Sequence, residues 1–494
     1  MTVSSVTNIR RFIAGAVASM LVGAAQGAPP PSGLTLALDP SGVLGIYNVA
    51  GATDPANPFF QSLGSNGRSC ATCHIATQAM SFTPAEARRR FLLTLGADPL
   101  FAAVDGANCD TVRRGSVNGH SLILRNGLIR IALPVPTDAE YSIAVVSDPY
   151  GCALRVDPKT HVLTASVYRR PLPAANLGFL SAVMFDARET PNPLTSTVTF
   201  DANLRADLAS QAIDATTGHA EAAAPPSDAA VQAIVEFELG LFTAQLADSE
   251  AGALTARGAG GGPVALAAQA YYPGINDSLG ADPLGNPFTP LSMTLYSSWE
   301  TLSSQSGGDQ AQARADIAAG EKLFNTADLT ISNVRGLNDN AAIGRPTSFT
   351  GHCSTCHDAP NVGDHSLPLA LDIGTSHIAD MNFESDPQIT AGSAQLSMPD
   401  LPIFLISGCP NPFNPGQPES FYTSDPGRAL ITGKCADFNR IKGPILRGLA
   451  ARAPYFHNGS AATLTEVVNF YNQRFQMNLT DQQVQQLVAF LKSL

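Results

Sequence analysis

Charge is scarce in this chain. Asp, Glu, Lys and Arg make up 14% of its 494 residues, against about 25% in an average soluble domain. Basic residues are the scarcer kind, 29 against 41 acidic, for a formal charge of −12. Removing a leader that carries Arg10 and Arg11 and no acid takes −12 to −14. A surface so poor in positive charge argues against nucleic acid and anionic membrane as partners. It fits plain solubility, or docking of a small basic redox protein. Long apolar runs are missing too: past the first 27 residues no stretch is apolar enough to cross a bilayer. Tryptophan occurs once, at Trp299. What is in surplus is 42 Gly and 36 Pro, a composition of loops rather than of a long-helix bundle.

Cysteine is sparse, 8 in all, yet half of it stands in two copies of one pattern. These are Cys70-Ala71-Thr72-Cys73-His74 and Cys353-Ser354-Thr355-Cys356-His357. Two intervening residues let both sulfurs reach the two vinyl groups on one porphyrin edge, and the next residue puts an imidazole under the iron. Chance yields roughly 0.002 such matches in a chain of this composition. A thioredoxin-like pair lacks a nearby βαβ pattern, and a zinc site needs two distant pairs to share one metal. The expectation is two covalently bound haem c groups, with Cys70, Cys73, Cys353 and Cys356 as attachment points and His74 and His357 as iron ligands.

Residues 1–27 have the three-part layout of a secretory signal: Arg10-Arg11, an apolar run from Phe12 to Ala24, and small residues up to Gly27. Export to the periplasm or beyond, with no membrane span after signal removal, is the expectation. There the remaining Cys109, Cys152, Cys409 and Cys435 pair, and the sequence-local pairings are Cys109–Cys152 and Cys409–Cys435. Other connectivities stay open.

The chain organises around the two motifs. A short Arg-rich helix is expected over Ala85 to Leu95. Short strands follow at Ser121–Leu124, Leu128–Leu133, Ser142–Val146 and Val162–Val167, forming a β-rich insertion over about 97–168. Helices are expected at Leu204–Ile213, Ala229–Leu246 and Asp309–Phe324. Near the end, Thr463 and Glu466 form a capping box, and Leu464, Val467, Val468 and Tyr471 share one helical face. Thr480 to Gln483 start a last helix that buries Val484, Leu487, Val488 and Leu491. The fold class expected is mainly α: two cytochrome c-like haem domains, 28–300 and 301–494, with the β-rich insertion in the first.

The segment Leu446-Arg447-Gly448-Leu449-Ala450-Ala451-Arg452-Ala453-Pro454-Tyr455-Phe456-His457-Asn458-Gly459-Ser460, with Thr463-Leu464-Thr465-Glu466-Val467-Val468, resembles a signature of the bacterial di-haem cytochrome c peroxidase and MauG family. Asp425-Pro426-Gly427-Arg428 and Thr432-Gly433 are similar to the family's approach to it. The resemblance is strong over roughly 310–494, patchy around 60–80 and 170–245, and absent from the insertion.

The resemblance implies a peroxidatic haem on His74 and an electron-transfer haem on His357. It implies hydrogen peroxide as substrate, and a small donor protein such as a cytochrome c or cupredoxin. Tyr471 falls where the family places a distal ligand of the second iron, with Met477 and Met398 as weaker alternatives. Gln211-Ala212 and, at the family's offset, Glu221 carry over as acid–base machinery, with His219 two residues earlier able to share the role. Arg90 stands where the family has a distal His, which implies an open first iron. Two departures matter. Phe185 in Met184-Phe185-Asp186-Ala187-Arg188 replaces the relay Trp, and Arg452 replaces a Thr of the interhaem calcium site, which puts calcium in doubt. The resemblance also allows a MauG-like oxidase or oxygenase of a protein or organic substrate, and a non-catalytic di-haem electron carrier.

Overall fold

The computed structural model describes residues 31–157, 160–302, 304–378, 387–414, 416 and 418–494. The expected leader lies outside them. Helix accounts for 32% and strand for 17%, so the mainly α expectation is corrected to a mixed α/β architecture with several small antiparallel sheets. The expected helices are present at Pro84–Thr94, Phe200–Gly218, Ser304–Thr326, Leu464–Arg474 and Asp481–Lys492. Their starts follow the chemistry of their caps. Thr463 accepts from the Glu466 N–H and Thr480 from the Gln483 N–H. Glu466 reaches one residue further back than a capping box requires, accepting from Ala462 N at 2.6 Å.

Strands enter in two places where the sequence pattern read otherwise. The Asp228–Leu239 helix stops at Gly240, and Leu241–Asp248 continues as a strand rather than as helix. It joins a four-stranded antiparallel sheet with Leu34–Asp39, Gly42–Asn48 and Gly252–Ala253. Ser121–Asn126 forms a short helix instead of a strand, with Leu122, Ile123 and Leu124 all buried. A short continuous apolar run has no periodicity to distinguish the two states.

The insertion does contain strands, at Ile129–Pro134, Ser142–Ser147, Leu154–Val156 and Leu163–Arg169. It does not stand alone. Ser142–Ser147 pairs with Ile403–Pro410, which also pairs with Pro418–Thr423. Leu133, Ala165 and Val167 share one core with Phe404, Ile406 and Phe438. The Cys409–Cys435 disulfide is formed inside this lobe. The Cys109–Cys152 bridge is not formed: both are buried free thiols. The Cys152 thiol donates to Asn108 O at 3.4 Å, while Cys109 contacts Asp110 and Thr111.

Two further cores carry the motif segments. One gathers Leu44, Phe59, Met80, Leu204, Leu208 and Ile234 around the first motif. The other gathers Trp299, Phe324, Leu464, Val468, Leu487 and Phe490 around the second. Phe324 and Phe490 meet with centroids 5.6 Å apart, and each buried aromatic contributes about 1.5–3 kcal/mol. Their helices touch closely at Gly320, where a Cβ would come within 2.0 Å of Gln486 O.

Candidate functional site

Both Cys-x-x-Cys-His segments form the same tight turn. In the first, Thr72 Oγ1 accepts from Ser69 N at 3.0 Å and His74 N donates to Cys70 O at 3.0 Å. In the second, Thr355 Oγ1 accepts from His352 N at 2.9 Å and His357 N donates to Cys353 O at 3.0 Å. The turn brings two sulfurs and an imidazole to one side of the chain. His74 Nδ1–H donates to Met80 O at 2.9 Å, and His357 Nδ1–H to Gly363 O at 2.6 Å. Each bond fixes the ring and leaves the Nε2 lone pair for a metal. Burial pushes both imidazoles below their ordinary pKa, so they are neutral and able to ligate.

Each imidazole faces its own cavity. Around His74 the walls include Cys70, Cys73, Leu63, Ile131, Leu177 and Leu208 and enclose about 1570 Å³, counting the space at the mouth. Gln211 and His219 line it, as the sequence implied; Glu221 does not. Glu221 is an exposed left-handed residue with φ +54°, and its carboxylate accepts from Asn66 Nδ2 at 3.0 Å. Arg90 is also outside the cavity, tied to Thr72 O and Glu86.

His219 has a partner that the sequence did not announce. Its Nδ1 bonds Asp105, and Asp105 forms a buried ion pair with Arg68. Despite burial, Arg68 and His219 hold the Asp105 carboxylate below its ordinary pKa. Arg68 is itself braced on Pro99 O and Leu100 O, each at 2.8 Å. An Asp accepting from Nδ1–H sets the tautomer and leaves the Nε2 lone pair free to accept a proton.

Glu238 is the second acid that was missed. It lines the same cavity, is 4% exposed, and its Oε2 has no hydrogen-bond partner. Burial pushes its pKa up to about 8. The signal was there to be read: Val231, Ile234, Val235 and Glu238 are the buried face of one helix, so an acid sits at i+7 of an apolar stripe.

The second cavity encloses about 1770 Å³ and is walled by Cys353, Cys356, His357, Leu369, Phe456, His457 and Tyr471. The Tyr471 ring stacks on Phe475 with centroids 5.9 Å apart. Its hydroxyl makes no hydrogen bond among the described residues, and burial raises its pKa. Met477 also lines this cavity; Met398 does not, and its Sδ accepts from Asn458 Nδ2 at 3.7 Å. Tyr455 and His457 of the family-like segment are tied to Leu449 O at 3.0 Å and Ser376 Oγ at 3.2 Å.

The two cavities share a wall. Arg170, Pro171, Leu172, Phe185, Lys442 and Pro444 line both, so Phe185 stands between them. Buried cations cluster here. Arg447 Nη1 and Nη2 and Arg452 Nε lack any hydrogen-bond partner, and burial lowers the Arg447 and Arg452 pKa values to about 10. Unpaired buried guanidinium is costly, and a group bearing carboxylates in each cavity satisfies it. Haem c, with its two propionates, fits this donor set, Arg447 and Lys442 serving the first cavity and Arg452 and Lys442 the second. Arg452, which lines the second cavity, is a buried cation at the position where the family has a calcium-site Thr, in keeping with the doubt about calcium.

Comparison with known proteins agrees. A model of RoxA-like cytochrome c domains matches residues 442–477, and a cytochrome c-like domain implies haem c. A cytochrome-c peroxidase of Denitromonas iodatirespirans is 30% identical over 160 residues, covering 30% of this chain and 37% of its own length. The cytochrome c551 peroxidase of Nitrosomonas europaea is 44% identical over 70 residues, 14% of this chain and 21% of that protein. A cytochrome-c peroxidase of Pseudomonas sp. is 29% identical over 196 residues, 37% of this chain and 50% of that protein. The matched segments therefore span half or less of these relatives. A solved MauG-like protein associated with microbial copper homeostasis aligns over 88% of this chain and 87% of its own, at 14% identity and a TM-score of 0.31. The chain is a distant homologue of the bacterial di-haem cytochrome c peroxidases and contains a RoxA-like cytochrome c segment.

Proposed function

We propose that this chain is an exported di-haem oxidoreductase that reduces hydrogen peroxide with electrons from a small redox protein. One observation carries the reading: two Nδ1-anchored imidazoles face two cavities that share a wall, and the first cavity also holds His219, its Nδ1 bonded to the buried Asp105. Bound haem supplies the electron storage and the peroxide-binding iron. The chain supplies proton handling. Reduction of peroxide to two waters consumes two protons and two electrons. His219 Nε2 takes the proton of the incoming peroxide and returns it to the departing oxygen, while Asp105 stabilises the charged imidazole. Glu238, protonated near neutral pH, holds the second proton inside the cavity. Electrons enter at the His357 cavity and cross the wall at Phe185.

Among the described residues no helix is long and apolar enough to cross a membrane. The leader-like start and the Cys409–Cys435 disulfide support a periplasmic or secreted setting. The free Tyr471 hydroxyl facing the second cavity favours Tyr ligation there, and with it a MauG-like oxidase as the second reading. Pyridine haemochrome assay and peroxide turnover with reduced cytochrome c test the proposal. Two haems per chain and steady turnover are expected; two haems with neither peroxide binding nor turnover would leave an electron carrier.

A further inference from the structure

The Arg-rich helix Pro84–Thr94 carries more apolar surface than the fold uses. Its buried stripe is Pro84, Ala87 and Phe91, and Ala87 and Phe91 share a core with Phe101, Ile123 and Leu124. Leu92 and Leu93 stand off that stripe, 75% and 70% exposed, and Leu95 just past the helix end is 81% exposed. Leu95 is the C-cap residue, at φ +52° with its N–H donating to Phe91 O. That left-handed position favours glycine, and a bulky side chain there is strained. Three leucines at one helix end make an apolar tip of a kind that a soluble surface seldom leaves uncovered.

The charge around the tip has the opposite sign to the molecule. Arg88 and Arg89 lie one turn earlier on the helix, and Arg113 and Arg114 on a loop that its end touches; all four are exposed. The touch is at Gly96, where a Cβ would come within 2.8 Å of Gly115 Cα. Nearby acids are already engaged: Glu86 with Arg89 and Arg90, Asp105 with Arg68, and Asp110 with Arg155. Asp98 lies 3.6 Å from Arg90. Arg88, Arg89, Arg90, Arg113 and Arg114 against Glu86 and Asp98 leave a local charge of +3 in a chain of −12. Physiological salt screens charges beyond about 8–10 Å, so at contact the patch outweighs the net charge.

We propose that this tip docks the protein peripherally on an anionic lipid bilayer. The leucines enter the boundary between headgroups and acyl chains, and the arginines meet lipid phosphates. A bilayer is favoured over an acidic protein for two reasons. Hydrocarbon conforms to side chains that project from a helix end, whereas a protein must supply a fitted pocket for each. Residues 84–118 also contain no Tyr or Trp, the residues that with Arg anchor most protein interfaces. Attachment is to the surface, since among the described residues no helix is long and apolar enough to cross a membrane. Arg90 Nη1 donates to Thr72 O at 2.9 Å, so docking brings the first Cys-x-x-Cys-His turn close to the lipid.

The test is flotation of the full holoprotein with vesicles of phosphatidylcholine alone, or of phosphatidylcholine mixed equally with phosphatidylglycerol. Binding to the anionic vesicles only is expected, and it should fall as salt is raised. The combined variant Leu92→Ser, Leu93→Ser and Leu95→Asn should weaken it by about tenfold or more, and so should Arg113→Gln with Arg114→Gln. All five side chains are exposed, so haem absorbance and the unfolding midpoint should stay at wild-type values in both. Absence of binding, equal binding to neutral vesicles, or binding retained by the leucine variant would overturn the proposal. So would indifference to anionic vesicles together with binding of a purified acidic plastocyanin that the same variants lose, which would make the tip a protein-docking surface.

Discussion

His219 and Glu221 are two residues apart in the chain and on opposite sides of a cavity wall, and this decides which can move a proton. His219→Ala should lower peroxide turnover by about 10²–10⁴-fold, the usual loss for a general acid–base. Glu221→Gln should leave it within about twofold, because the carboxylate is exposed and bonded to Asn66. Steady-state assays with haem content matched between variants check both; equal losses in the two would return the role to Glu221. Glu238 makes a pH prediction. Its pKa is raised to about 8 from 4.5, so the folded state binds the extra proton between those values. Stability then falls as pH rises through that window, by up to about 1.4 kcal/mol per unit, and the cost is fully present above pH 8. Glu238→Gln should flatten this part of the stability profile, measured by denaturant unfolding from pH 5 to pH 9. Tyr471→Phe keeps the ring stack and removes only the oxygen, so the second haem's resonance spectrum should change while the fold does not. The sequence revealed His74, His357 and Tyr471 because their spacing is local. Asp105 was not legible, since it lies 114 residues from His219 and only the fold joins them.

At the level of elements, legibility followed periodicity. The Leu464–Arg474 and Asp481–Lys492 helices have clear stripes and caps, and both were read within a residue or so. The Leu241–Asp248 strand was hidden behind a helix, because its residues are buried on both faces and so do not alternate. The pairing of Ser142–Ser147 with Ile403–Pro410 could not be read at all, since register between distant strands has no local signal. That lobe holds the disulfide, which closes a separation of 26 residues. Replacing Cys409 and Cys435 together by Ser should cost about 2–4 kcal/mol, read as a lower denaturation midpoint. The haem spectra should persist, because neither cysteine lines a haem cavity.

Across the whole molecule the shared wall is the feature through which the proposed function would couple the two sites. Phe185 is 8% exposed and meets the His457 ring edge-on at 6.1 Å, and it touches both cavities. A phenyl ring fills space between them but is far harder to oxidise than an indole, so in the proposed function electrons would pass without resting on it. Phe185→Trp installs an oxidisable ring at that point. The larger ring overpacks the wall, at a cost of about 1–3 kcal/mol, and its N–H needs an acceptor. If the wall carries the electrons, the variant should equilibrate charge between the two haems faster than the parent. Stopped-flow absorbance after half-reduction measures that rate directly, and haem content shows whether the packing survived. A correctly assembled variant with an unchanged rate would place the electron path elsewhere, through Lys442 and Pro444 on the other part of the wall.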